Sequence, residues 1–94
     1  MDSLETKIES LIFCSPKPIK ISEIKEIIKE NDGNIYQEKQ IHNLLNSLIK
    51  KYDDDSYSFK IVESGGGFQF LTKNKFSRLN EILLKQQSKR RLSI

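Results

Sequence analysis

Apolar residues recur along the chain with two different periods, and the points where the period changes divide it into elements. Leu4, Ile8, Leu11 and Ile12 are spaced by four, three and one, which predicts a helix from about Ser3 to Phe13 with those residues on one stripe and Ser3 as its cap. Ser15-Pro16-Lys17-Pro18 ends it. Proline has no N–H to donate and disfavours helical geometry in the residue before it, so a short extended link through Ile19 is expected. A second helix begins at Ser22 as N-cap, with Ile24, Ile27 and Ile28 inward, although Lys25 stands where a full capping box has Glu. Asn31-Asp32-Gly33-Asn34 closes it, with Gly33 free to adopt the left-handed conformation. A third helix from near Gln37 carries the most regular stripe, Ile41, Leu44, Leu45, Leu48, Ile49 and Tyr52, and is expected to form the core.

The period then becomes two. Tyr57, Phe59 and Ile61 share one face of a first run, and Phe68 and Phe70 one face of a second, with Ser64-Gly65-Gly66-Gly67 between them. This is a β-hairpin, and an isolated hairpin is marginal in water, so its aromatic face is expected to close against the helices before and after it. After Thr72, Lys73-Asn74-Lys75 leads into a last helix in which Phe76, Leu79 and Leu83 share a face, Ile82 widens it and Leu84 falls outside. From Gln86 onward no apolar period remains, and a frayed end or linker is expected. The predicted fold is α+β: a winged-helix domain of three helices, a two-stranded hairpin wing and a C-terminal helix over residues 1–86, with 87–94 a basic linker toward a second domain not contained in the chain.

Composition sharpens this picture. A chain of 94 residues with 36% hydrophobic residues fits one small domain with little core to spare, and extra burial is expected from a partner. A single cysteine, Cys14, excludes an internal disulfide framework, and with no leader or membrane-spanning run visible the expected location is the cytoplasm. The formal charge of +3 is unevenly divided. Residues 1–72 carry 9 lysines against 12 acidic groups, whereas residues 73–94 carry 7 basic groups against 1 acidic.

The candidate chemistries resolve into ordinary structure. A phosphate loop needs Lys followed by Ser or Thr and a helix after its glycines, whereas a strand follows Gly67. Asp53-Asp54-Asp55 lacks the ligand spacing, central glycine and terminal glutamate of a calcium loop and reads as a solvated turn. His42 has no second ligand at metal spacing and is expected on the surface, and Cys14 has no activating neighbour in sequence and is expected as a small apolar filler. No paired carboxylates, triad or cofactor fingerprint is present, so the chain is expected to be non-enzymatic, with no catalytic, cofactor or metal residues. Winged helices often place their third helix in the major groove, which makes a DNA-binding transcriptional regulator the alternative. The exposed positions expected there, from Glu38 and Lys39 to Lys50 and Lys51, include no arginine, and the wing offers Lys60 against Glu63, so direct DNA binding is expected to be weak or absent.

Glu9-Ser10-Leu11-Ile12-Phe13, then Pro18-Ile19, the leucine-rich third helix and Val62-Glu63-Ser64-Gly65-Gly66-Gly67-Phe68-Gln69-Phe70 together resemble the N-terminal domain of segregation and condensation protein B, ScpB. The resemblance spans most of the chain, and Arg91-Leu92-Ser93 resembles the start of that family's second domain. It departs at Cys14, where the family more often has a small residue such as alanine. The resemblance implies a non-enzymatic subunit of the bacterial condensin-like SMC complex, dimerising through this domain and supporting the kleisin ScpA at the SMC heads in chromosome condensation and partition. It also implies association with the nucleoid through that complex. Phe13, Ile35, Tyr36 and Leu84 are each assignable to core or interface, and Tyr36 and Leu84 are taken as the candidate dimer or partner residues.

Overall fold

The computed structural model describes residues 2–92, with side-chain environments through Lys89. The elements run α1 (Leu4–Cys14), β1 (Ile19–Lys20), α2 (Ile21–Asp32), α3 (Glu38–Tyr52), β2 (Phe59–Ser64), β3 (Gly67–Thr72), a 3₁₀ turn (Asn74–Phe76) and α4 (Ser77–Leu92). Three helices and a hairpin wing followed by a fourth helix agree with the predicted fold. Ser3 caps α1 by accepting from the Thr6 N–H at 3.2 Å, and Gly33 closes α2 at φ +80°.

The sheet has three strands, not two, in the order β1-β3-β2, all antiparallel. Ile19 pairs with Phe68 and Lys20 with Gly67. Two residues wedged between Pro18 and a helix are too short to show a period, so only the tertiary pairing reveals β1. The three consecutive glycines have separate tasks. Gly65 and Gly66, at φ +58° and +82°, form the two-residue turn whose twist suits a hairpin. Gly67 is where β1 approaches β3: a Cβ there would lie 2.9 Å from the Pro18 carbonyl carbon and Cβ.

The start of α2 differs from expectation. The N-cap is Lys20, Ser22 lies inside the first turn, and the Glu23 carboxylate accepts from the Lys20 N–H at 3.1 Å. That is half of a capping box, since a lysine ammonium has no lone pair to return. The third helix uses the same device, with the Gln40 side chain accepting from the Gln37 N–H at 2.9 Å. Of the three isoleucines expected to face inward, Ile24 and Ile28 are buried, and Ile27 lies at the edge of the stripe, 40% exposed.

The core consists of Ile8, Ile12, Ile19, Ile24, Ile28, Ile41, Leu45, Leu48, Tyr52, Ile61 and Phe68. Its lower edge is aromatic. Tyr52 at the end of α3 meets Tyr57, Phe59 and Phe70 with centroids 4.7, 5.5 and 5.1 Å away, and Phe59 and Phe70 meet edge to face at 5.4 Å. The Tyr52 hydroxyl donates to the Glu9 carboxylate, which also receives Lys51 at 3.4 Å, so α1, α3 and the sheet are joined at one point. Lys7 and Asp32 pair at 3.0 Å between α1 and the end of α2. The hydrogen bond it donates to Asp32 holds the Lys7 ammonium above its usual range, and the Asn34 N–H, followed by Lys7, holds the Asp32 carboxyl below its own. The aspartate turn is likewise anchored: Asp54 accepts from the Ser56 N–H at 2.8 Å, and its carbonyl accepts from Lys73.

Two expectations about the last segment are overturned. First, α4 does not close over the sheet: Leu79, Ile82, Leu83 and Leu84 are 66, 42, 52 and 63% exposed. Phe59 and Phe70 pack on Tyr52 at the end of α3, and the chain turns away through the 3₁₀ turn before α4 begins. Second, α4 does not fray at Gln86 but continues to Leu92. Lys, Gln, Arg and Leu are good helix formers, no Gly or Pro interrupts them, and Glu81 pairs with Lys85 at 3.2 Å one turn on. Ser93, the last residue of the Arg91-Leu92-Ser93 resemblance, lies outside the described residues. The molecule is therefore elongated, 50 × 32 × 29 Å, with a radius of gyration of 16.2 Å; a compact chain of this length has about 12 Å.

Replacing Gly67 by alanine is expected to force β1 away from β3 and lower stability by about 1–3 kcal/mol, as overpacking does; urea denaturation checks this. Tyr52→Phe is expected to cost about 1–2 kcal/mol at neutral pH by removing a hydrogen bond to a charged acceptor. Burial, and then the hydrogen bond to Glu9, raise the Tyr52 hydroxyl to about 12. A folded-state pKa above the unfolded one means that the contribution is complete below about pH 10 and lost as pH rises through 12. The gap between the natural chain and Tyr52→Phe should therefore narrow over that window, and a gap that stays constant would contradict the assignment.

Candidate interaction surface

The described residues contain no group of three or more His, Cys, Asp or Glu side chains able to hold a metal ion, and no helix long and apolar enough to cross a membrane. No buried side-chain polar atom among them lacks a partner. What the surface does present is apolar. Its centre is the outward face of α1, where Thr6, Ser10 and Phe13 follow one another at helical spacing.

A depression lies on either side of this ridge, and Thr6 and Ser10 line both. One, of about 480 Å³, lies between α1 and α2 and is lined by Leu11, Ile27 and Ile28 with Asp2, Lys7 and Asn31. The other, of about 250 Å³, is aromatic, with Phe13, Tyr52, Phe59 and Phe70 around Glu9. Phe13 stands at its rim, 75% exposed, with only an edge contact to Phe70 at 6.2 Å between centroids. Together the two depressions form a shallow trough across α1, apolar at both ends and polar at the middle.

The second apolar feature is α4. Its stripe of Leu79, Ile82 and Leu83 is uncovered in the isolated chain, and basic residues occupy its later turns. Apolar side chains grouped in the first half of a helix and left uncovered mark a site of contact or a liability in solution.

The candidate residues separate. Leu84 is 63% exposed on α4, beside its stripe, whereas Tyr36, in the loop between α2 and α3, packs partly buried against the core. Ile35 is 70% exposed on the same loop. Cys14 is exposed, not an apolar filler, because α1 turns its last residue away from the sheet. His42 is exposed on α3, as expected. The role of Glu9 was missed: its partners Lys51 and Tyr52 lie more than forty residues away in sequence, and no local pattern marks such a contact.

The third helix exposes Glu38, Lys39, Gln40, His42, Asn43, Asn46, Ser47, Lys50 and Lys51, and Lys51 is already engaged with Glu9. This face has the position of a DNA-reading helix without its arginines.

The comparisons with known proteins agree with this architecture. The family model for the segregation and condensation complex subunit ScpB matches residues 6–94. Segregation and condensation protein B of Clostridium perfringens is 33% identical over 93 residues, covering 98% of this chain and 45% of the relative. A crystal structure of a conserved hypothetical protein from Chlorobium tepidum superposes with a TM-score of 0.70 at 27% identity, over 96% of this chain and 53% of that one. The crystal structure of a dimer of the ScpB N-terminal domain complexed with an ScpA peptide superposes with a TM-score of 0.75 at 18% identity, over 88% of this chain and 93% of that one. The chain thus spans about half the length of the curated relatives it matches. With the family model matched over nearly all of its length, on a fold shared with these structures, the chain belongs to the ScpB family of segregation and condensation complex subunits.

Proposed function

We propose that this chain is a non-enzymatic subunit of a bacterial SMC complex, forming a homodimer and supporting the kleisin ScpA at the SMC heads in chromosome condensation and partition. The observation that carries the reading is a winged-helix body matched by the ScpB family model, with its uncovered apolar surface on α1 and α4. Exposed apolar surface of this extent suits protein contact. The fold neighbour bound to an ScpA peptide is itself a dimer. In this reading the protein works in the cytoplasm and reaches the nucleoid through the complex. Residues 1–86 form the winged-helix unit, and 87–94 lead toward a second domain, in keeping with the greater length of the relatives. Leu84 belongs to the partner interface, to which Tyr36 adds only the edge it does not pack on the core.

A transcriptional regulator reading DNA is the weaker account. Affinity for DNA rests on phosphate neutralisation, and the face that would enter the groove has few free cations. The net positive charge lies instead in the segment from Lys73 onward, including the later turns of α4.

Sedimentation over a concentration series should show a reversible monomer–dimer equilibrium, and titration with the ScpA kleisin should give saturable binding that moderate salt leaves intact. A strict monomer that ignores ScpA and binds duplex DNA with a steep loss on adding salt would replace this reading with the DNA-binding one.

A further inference from the structure

The homodimer proposed above leaves open which surfaces meet, and two pairings use the uncovered stripe of α4. In the first, the α4 helices of two copies pack on each other. In the second, each α4 packs on the body of the other copy. Size and charge separate them.

Sixteen residues give α4 a length of about 24 Å, and with a helix width of about 10 Å one face offers roughly 240 Å². One α4–α4 crossing therefore engages roughly 500 Å² counted on both helices, well short of the about 1,200 Å² at which stable interfaces begin. A reciprocal arrangement makes the helix contact twice and brings the total near that threshold.

Charge points the same way. Over residues 77–92, α4 carries Arg78, Lys85, Lys89, Arg90 and Arg91 against Glu81, so pairing it with itself brings two strongly cationic helices together. The body is the opposite: residues 1–72 have three more acidic groups than lysines. The trough across α1 has Asp2 in its lining and Glu5 on the same helix; the two further charges of its lining are each paired, Lys7 with Asp32 and Glu9 with Lys51. The apolar parts also correspond: α4 offers leucine and isoleucine side chains, and the trough offers Leu11 and Ile27 at one end and Phe13 and Phe70 at the other.

We propose that α4 is an exchanged arm: in the dimer, each copy lays the Leu79–Ile82–Leu83 stripe of α4 into the α1 trough of the other copy, with the basic turns of α4 against its acidic body. The inference rests on the dimer reading and specifies its contact. Phe13 is the knob over which the arm closes. Phe13 at the rim of the trough and Leu83 on α4 are both exposed and outside the core, so each can be altered in a chain that still folds.

That property permits a complementation experiment. Leu83→Asp damages the arm and leaves the trough intact; Phe13→Asp damages the trough and leaves the arm intact. Each variant, shown to be folded by circular dichroism, is expected to self-associate at least tenfold more weakly than the natural chain in sedimentation. Mixed in equal amounts, they are expected to recover association, because the intact arm of one fits the intact trough of the other. Lys85→Glu with Lys89→Glu should also weaken the dimer by at least tenfold. If the natural chain dimerises but the mixture associates no better than either variant alone, the exchanged arm is overturned and the dimer stands. The same holds if Phe13→Asp or the charge reversal dimerises like the natural chain. If the natural chain is monomeric throughout, the dimer reading itself fails.

Discussion

The convergence on Tyr52 is the constraint on which the rest of the molecule depends. One side chain at the end of α3 stacks against the aromatic residues of the hairpin and, through its hydroxyl, holds Glu9 of α1. A two-stranded hairpin has too little buried surface to stand alone. Here its inner face is closed by the end of a helix whose other residues, Ile41, Leu45 and Leu48, are fully buried. The hydrogen bond from a buried phenol to a carboxylate satisfies both groups in a setting where an unmade bond is costly. Because Glu9 also receives Lys51, the acid is held from two sides.

Closing the core in this way leaves α4 over. The hairpin's apolar face packs on the helices that precede it, and the fourth helix leaves the body after a single 3₁₀ turn with its own stripe uncovered. The division of charge follows the same boundary: an acidic body and a basic arm. Opposite charges on two parts of one chain that do not close on each other favour a contact between chains, since a symmetric pair satisfies both halves at once.

The third helix illustrates why fold alone does not give function. It sits where winged helices read DNA, yet its outward residues are uncharged amides, a histidine and a few lysines, one of them committed to Glu9. A phosphate backbone is held chiefly by concentrated positive charge, and here that charge lies on the arm and not on the body. A scaffold shared with DNA readers thus carries, on the helix that would read DNA, surface residues poorly suited to a phosphate backbone.

Local patterning in the sequence determined the elements themselves. The stripes of α1 and α3, the Ser3 cap, the Gly33 stop and the glycine-rich tip of the hairpin are each set by interactions within a few residues, and so they were legible without a structure. Family motifs, which lie in the same local runs, were legible for the same reason. The tertiary structure alone decided the rest. Pairing of Ile19 and Lys20 with β3, the need for Gly67 beneath Pro18, and the Tyr52–Glu9 bond join residues distant in sequence. The fate of Phe13 and of the α4 stripe also depended on tertiary structure, because an apolar period shows that a face seeks burial and not whether its own chain supplies the cover.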